Sequence, residues 1–137
     1  MTRDEIEGLI RRLHEDRRQN DGKVIGALFT DDAVFGVAGC EDSSSIACSF
    51  QGAGQYQPVL DRLAGLFHWV NVDFHAIIVE GAQAAVNYTL TFDYAPTGAR
   101  YTSKVTDIMT FRDGRICGMV QYADTAFLNA LEQQAAG

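Results

Sequence analysis

Residues Arg100 to Asp124, RYTSKVTDIMTFRDGRICGMVQYAD, constrain the fold more than any other stretch of the chain. Two runs of strand-forming residues flank Asp113-Gly114, a dipeptide suited to a tight hairpin. Because successive strand side chains alternate, Tyr101, Ser103, Val105, Asp107, Met109 and Phe111 share one face of the first run. Thr102, Lys104, Thr106, Ile108, Thr110 and Arg112 share the other. Asp107 therefore sits in a mostly apolar row. Burying an unpaired carboxylate is costly, so this one is hydrogen-bonded, faces a wet cavity or holds a proton.

The turn sets what Asp107 faces, because a one-residue change of register exchanges the two faces of a strand. A three-residue loop, Arg112 to Gly114 with Gly114 left-handed, sets Asp107 opposite Met119, Met109 opposite Cys117 and Val105 opposite Gln121. A two-residue turn instead sets Asp107 opposite Val120 and near Tyr122. The three-residue loop is the preferred reading.

The segments before the hairpin change period twice. Thr2, Asp4 and Glu5 mark a helix start, and Ile6, Leu9, Ile10 and Leu13 give an amphipathic helix over about the first eighteen residues. Arg11, Arg12, Arg17 and Arg18 read as its solvated side, with Glu15 and Asp16. After Gln19 to Gly22, a short helix runs through Val24, Ile25, Leu28 and Phe29 to Thr30-Asp31-Asp32, and Ala33 to Val37 forms a brief strand. Gly39 to Gln51 reads as a loop that covers a site or is plain surface. Gly54 to Leu66 is again helical, with Pro58 near its start. Val70, Val72, Phe74, Ala76 and Ile78 then alternate with Asn71, Asp73 and His75, and Ala84, Val86, Tyr88, Leu90, Phe92 and Tyr94 alternate with polar residues. Thr125 to Gln134 closes the chain as a helix.

Helices followed by a strand meander predict an α+β fold. A cone-shaped, curved antiparallel sheet packs on the N-terminal helices and leaves an opening that suits a ligand. The 137 residues suffice for one domain, 1–137, with one core. A net charge of −7 disfavours nucleic acid and anionic membranes as partners, and no apolar run is long enough to span a bilayer. Cys40, Cys48 and Cys117 are an odd set without metal-site spacing, read as reduced thiols of a cytoplasmic protein, and no metal or cofactor is expected.

Three pieces, NDGKVIGALFTDDAVF (Asn20 to Phe35), FQGAGQYQPVLDRL (Phe50 to Leu63) and TFRDGRICGMVQYAD (Thr110 to Asp124), resemble the nuclear transport factor 2-like superfamily. That superfamily includes SnoaL-like polyketide cyclases, ketosteroid isomerase and limonene epoxide hydrolase. With the element order, the likeness spans nearly the whole chain and implies a cystatin-like α+β roll and a homodimer. It matches Asp107 to the aspartate that ketosteroid isomerase keeps protonated as an oxyanion-hole donor. Its catalytic base falls on Val37 and its tyrosine on Leu13. The epoxide hydrolase triad, an arginine and two aspartates, falls on Tyr88, Leu90 and Gln121. The acid-base sets of both enzymes are thus absent, and the fold alone hosts many functions.

Two readings remain. In the first, the chain is an isomerase, cyclase or dehydratase acting on a hydrophobic cyclic or ketone substrate by proton transfer. Asp107 donates to developing oxygen charge or moves a proton, and His14, at the edge of the first helix's apolar stripe, is the candidate base. Tyr88, Gln121 and Ser103 orient the ligand in a pocket walled by Leu90, Phe92, Trp69, Val105, Met109 and Met119. In the second, Asp107 is a structural carboxylate, and the aromatic and Met side chains pack a core. The chain is then a non-catalytic module that binds an apolar ligand or dimerises through Thr89, Thr91, Thr106, Ile108 and Tyr122. Asp124 reads as the cap of the last helix.

Overall fold

The computed structural model describes residues 1–42 and 46–136. Helix α1 spans Arg3–Arg18 and opens on a reciprocal cap. The Glu5 N–H donates to the Thr2 hydroxyl and the Thr2 N–H to the Glu5 carboxylate, each at 3.2 Å. A short α2, Gly22–Gly26, is capped by Asp21. Strand β1 is Phe29–Val37, β2 is Cys48–Gln51 and α3 is Ala53–Leu66. The long strands β3 (Phe67–Glu80), β4 (Gln83–Tyr94), β5 (Ala99–Arg112) and β6 (Arg115–Tyr122) come next, and α4 is Thr125–Ala136. Among the described residues no helix is long and apolar enough to cross a membrane.

The six strands form one sheet in the order β2-β1-β6-β5-β4-β3. It is mixed and not wholly antiparallel as expected, because β1 runs parallel to β6, with Val37 beside Gln121. That pairing also corrects the second helix. It ends at Gly26, and the expected Phe29-to-Asp32 portion is strand, since the Ile116 N–H donates to the Leu28 carbonyl at 2.9 Å and the Tyr56 hydroxyl to the Thr30 carbonyl at 3.0 Å. Sheet partners distant in sequence outweigh a weak local helical preference. The expected Gly39–Gln51 loop likewise contains β2, and its residues 43–45 lie outside the described residues.

Strand β4 buries all six of its expected inward residues, from Ala84 to Tyr94. Strand β3 does not keep the expected parity. Its ladder with β4 skips Val70 and His75, so the inward set passes from Phe67 and Trp69 to Val72 and Phe74, then to Ile77 and Val79. Ile78, expected inside, is 63% exposed. Each extra residue bends and twists a strand, and two of them give the sheet its curve. Helices α1 and α3 pack on the sheet, α1 mainly over β3 and α3 over β1, and Ile6, Ile10, Leu13, Tyr56 and Leu60 share one core with the inward strand residues.

The hairpin between β5 and β6 combines both expected devices in an unexpected way. Arg112 pairs with Arg115, so the turn has two residues, Asp113 (φ 52°) and Gly114 (φ 78°). The ladder then skips Cys117, and beyond this bulge Met109 pairs with Met119 and Asp107 with Gln121. The inward face of β6 changes from Ile116 to Met119 and Gln121 at that point. Asp107 is thus opposite Gln121, and neither Met119 nor Val120.

At the other end of the sheet, Gly36 allows close approach of β2. A Cβ on Gly36 would lie 2.7 Å from the Cys48 carbonyl oxygen, and backbone cannot yield as a side chain can. Gly36→Ala is expected to cost about 1–3 kcal/mol and to speed amide exchange in β2. An unchanged denaturation midpoint with unchanged β2 protection would count against this packing.

Candidate functional site

Asp107 projects from the middle of β5 into the space between sheet and α1, and it is 0% exposed. Its Oδ2 accepts from the Tyr88 hydroxyl at 2.9 Å, and His14 Nε2 lies 3.1 Å from the same oxygen. Tyr88 comes from the neighbouring strand, two residues along from Val86, which Asp107 faces across the ladder. His14 comes from α1, four residues after Ile10, and is 2% exposed. Gln121 completes the chain, its Nε2 donating to the Tyr88 hydroxyl at 3.3 Å.

The proton count of this chain is set by its geometry. His14 Nδ1 lies 2.7 Å from the Ile10 carbonyl oxygen, which only accepts, so Nδ1 carries a hydrogen. The contact between Nε2 and Asp107 Oδ2 then needs a second hydrogen between them. Whether that hydrogen sits on nitrogen or oxygen, the pair holds one shared proton and no net charge. Asp107 Oδ1 is buried with no hydrogen-bond partner among the described residues. Three aromatic rings enclose the imidazole, with centroids at 4.7 Å for Tyr88, 5.1 Å for Phe74 and 5.7 Å for Trp69. Burial, with the Asp107 charge beside it, holds the Tyr88 phenol well above its ordinary range, so it is a donor at neutral pH.

Among the described residues, small hollows lie inside the cone, and two of them border the site. The outer one, about 50 Å³, is lined by Phe67, Trp69, Leu90, Phe92, Ser103 and Val105, among others. The inner one, about 20 Å³, is lined by Leu13, His14, Phe29, Phe35 and Met119, among others. Arg17, Leu63, Trp69 and Gln121 line both and form the partition between them. Of the residues expected around a ligand, Trp69, Leu90, Phe92, Ser103, Val105 and Gln121 border the outer hollow and Met119 the inner. Met109 borders neither and is packed solid. Tyr88 and Asp107 stand behind the wall, and of the two expected catalytic groups His14 alone borders a hollow.

Arg17 was expected on the solvated side of α1, and the structure turns it inward. Its guanidinium carbon lies 4.6 Å from the centre of the Trp69 ring. Its Nη1 is sealed from water and has no hydrogen-bond partner among the described residues. Burial pushes its pKa down to about 10, against the opposing pull of Tyr88 and Asp107, so it stays cationic at neutral pH. The signal in the sequence was its spacing, since Ile6, Ile10, Leu13 and Arg17 repeat every three to four residues. A long side chain at the end of such a stripe lays its stem on the apolar face. Asp124 behaves as expected, accepting from the Phe127 N–H at 3.0 Å at the start of α4.

A model of the SnoaL-like domain family matches residues 10–119. No curated protein matches the chain. Among solved structures, a protein from Rhodopseudomonas palustris provisionally called an isomerase superposes with a TM-score of 0.77 at 17% identity, covering 100% of both chains. An LEH-like epoxide hydrolase from M. tuberculosis gives 0.71 at 21% identity, covering 97% of this chain and 94% of the other. A protein from Xanthomonas campestris, provisionally a polyketide cyclase, gives 0.73 at 17% identity over 93% and 96%. Likeness at these identities establishes the fold.

Proposed function

The chain belongs to the SnoaL-like domain family, and from that premise we propose that it is a small enzyme that moves a proton on an apolar ketone or cyclic carbonyl compound. The observation that carries this reading is a fully buried carboxylate sharing one proton with a buried histidine, one residue behind the wall of an apolar hollow. A proton held this way reaches a bound ligand oxygen that displaces the Gln121 amide when the Tyr88 hydroxyl turns its hydrogen from Asp107 Oδ2 to the ligand, Asp107 then keeping the proton it shares with His14. A buried donor chain of this kind stabilises developing oxygen charge with little solvent reorganisation. His14, bordering the inner hollow, is the group that exchanges the proton, and Asp107 holds it in orientation. His14 thus keeps the role of base expected from the sequence, and Asp107 acts through it.

Incubation in deuterated buffer with a panel of cyclic ketones tests the proposal. We expect deuterium to enter at the carbon next to the carbonyl at least about 100-fold faster than in buffer, the lower end for a positioned acid or base. Asp107→Asn should reduce the rate to background. No exchange above buffer with any ketone, or exchange indifferent to Asp107→Asn, overturns the reading.

A second reading has one observation in its favour: both ring nitrogens of His14 are engaged within the fold. On that reading the polar chain pins α1 to the sheet. The protein is then an apolar-ligand module that dimerises through the outer sheet face, where Ile108 and Tyr122 are exposed. Retained ligand without deuterium incorporation would favour it, and light scattering reads the dimer.

A further inference from the structure

We propose that Arg17 makes the outer hollow a receptor for the carboxylate of a small oxo acid. The carboxylate pairs with the Arg17 guanidinium, and the hydrocarbon part lies among Phe67, Leu90, Phe92 and Val105. This names the substrate class of the site described above and rests on that reading only for the chemistry, not for the binding.

Asp107 favours the Arg17 cation from a distance, but the Asp107–His14 pair is neutral as a unit and makes no ion pair with the guanidinium. Among the described residues no carboxylate oxygen forms an ion pair with it. Asp16, its neighbour in sequence, lies 3.6 Å from Arg12. Asp124 borders the same hollow, but it is exposed at the rim and caps α4 through the Phe127 N–H. Arg17 is half-buried, and its sealed Nη1 has lost water without gaining a partner, which is costly for a charged group. Arg17 borders the hollow and its sealed Nη1 has no acceptor, so an anion entering the hollow supplies the missing partner once the guanidinium turns toward it.

Shape narrows the anion. Trp69 covers one side of the guanidinium, whose carbon lies 4.6 Å from its ring centre, and the planar donor fork of an arginine suits a planar acceptor such as a carboxylate. The rest of the outer hollow is apolar. A cavity of about 150 Å³ accepts benzene, so one of about 50 Å³ holds a body of roughly three carbons. Gln121 and Ser103 also line this hollow, and Gln121, in the partition with Arg17 and bonded to Tyr88, suits a carbonyl next to the carboxylate. With a net charge of −7, the protein as a whole does not attract anions, so any preference for one is local to Arg17.

Isobutyrate and its neutral counterpart isobutyramide probe this site without presuming a reaction. In an NMR titration of the full chain, isobutyrate is expected to bind at least about tenfold more tightly, the usual margin for a desolvated charge-assisted contact, and to move the Trp69 indole and Gln121 amide signals. Arg17→Met, which keeps the stem over Trp69, should equalise the two ligands, and Arg17→Lys should restore part of the preference. Equal binding to the unaltered protein, a preference that survives Arg17→Met, or shifts confined to other residues each overturns the proposal. The ketone exchange assay fails or succeeds separately. Isobutyrate preference without deuteration leaves the anion site standing and removes the proton-transfer reading, and deuteration without preference does the reverse.

Discussion

Asp107→Ala is expected to lower the unfolding free energy by about 3–5 kcal/mol, the usual cost of removing one partner from a buried pair. For a chain of this size that corresponds to a fall in Tm of roughly 10–15 °C. The cause is what remains. His14 and Tyr88 stay enclosed, one facing a void with its ring nitrogen and the other with its hydroxyl, and water does not reach either. Asp107→Asn should be much milder. Its amide nitrogen, standing where Oδ2 does, can donate to His14 Nε2 and to the Tyr88 hydroxyl, which turns to accept, so shape and most of the hydrogen bonding persist while the transferable proton is lost. That contrast makes the Asn variant the informative one for activity and the Ala variant the informative one for stability. Combining Asp107→Leu, His14→Leu and Tyr88→Phe is expected to recover most of the loss, since an apolar set of similar volume leaves no unpaired group. Chemical denaturation measures all three. A cost below about 1 kcal/mol for Asp107→Ala would mean that the chain contributes little to the folded state.

Trp69→Ala is expected to cost about 3–5 kcal/mol, with a change in the hollows that stability alone does not report. The indole is 5% exposed, carries Arg17 on one side and meets the His14 and Tyr88 rings on others. It also forms part of the partition between the two hollows. Removing it joins them and frees the guanidinium from its platform. The expected consequence is relaxed selectivity by size: cyclohexanecarboxylate, too large for an outer hollow of about 50 Å³, should bind the variant and not the parent. Trp69→Phe keeps a ring in place and should retain the exclusion. If the alanine variant lost less than about 1 kcal/mol, or still excluded the larger acid, Trp69 would not be the dividing wall.

The parts of the fold legible in the residues are those with an uninterrupted period. Strand β4 alternates without a break from Ala84 to Tyr94, and its inward set is read directly from that alternation. The same holds for β5, so Asp107 could be assigned to the inner face before any partner for it was visible. What the period could not reveal lies at its interruptions. The skipped residues Val70, His75 and Cys117 each reverse the parity of the strand residues beyond them, and nothing in their side chains marks them as extra. Hence periodicity assigns Ile78 to the wrong face and Asp107 to the wrong neighbour. Arg17 departs from expectation for a related reason: its charge suggests water, while its place on the helix stripe, which decides the matter, points inward.

By itself the sequence determined that this chain builds an α+β roll of the nuclear transport factor 2-like kind, with one carboxylate turned toward the inside. Helical stripes and alternating strands are local properties, and the partition of apolar from polar residues between two faces is written into their spacing. Only the tertiary structure decided that His14 meets Asp107, 93 residues away, that β1 runs beside β6, and that Arg17 closes the hollow against Trp69. Contacts between distant segments depend on bulges, sheet curvature and the angle at which α1 crosses the strands. Those are settled by how the whole core packs, and no window of neighbouring residues contains them.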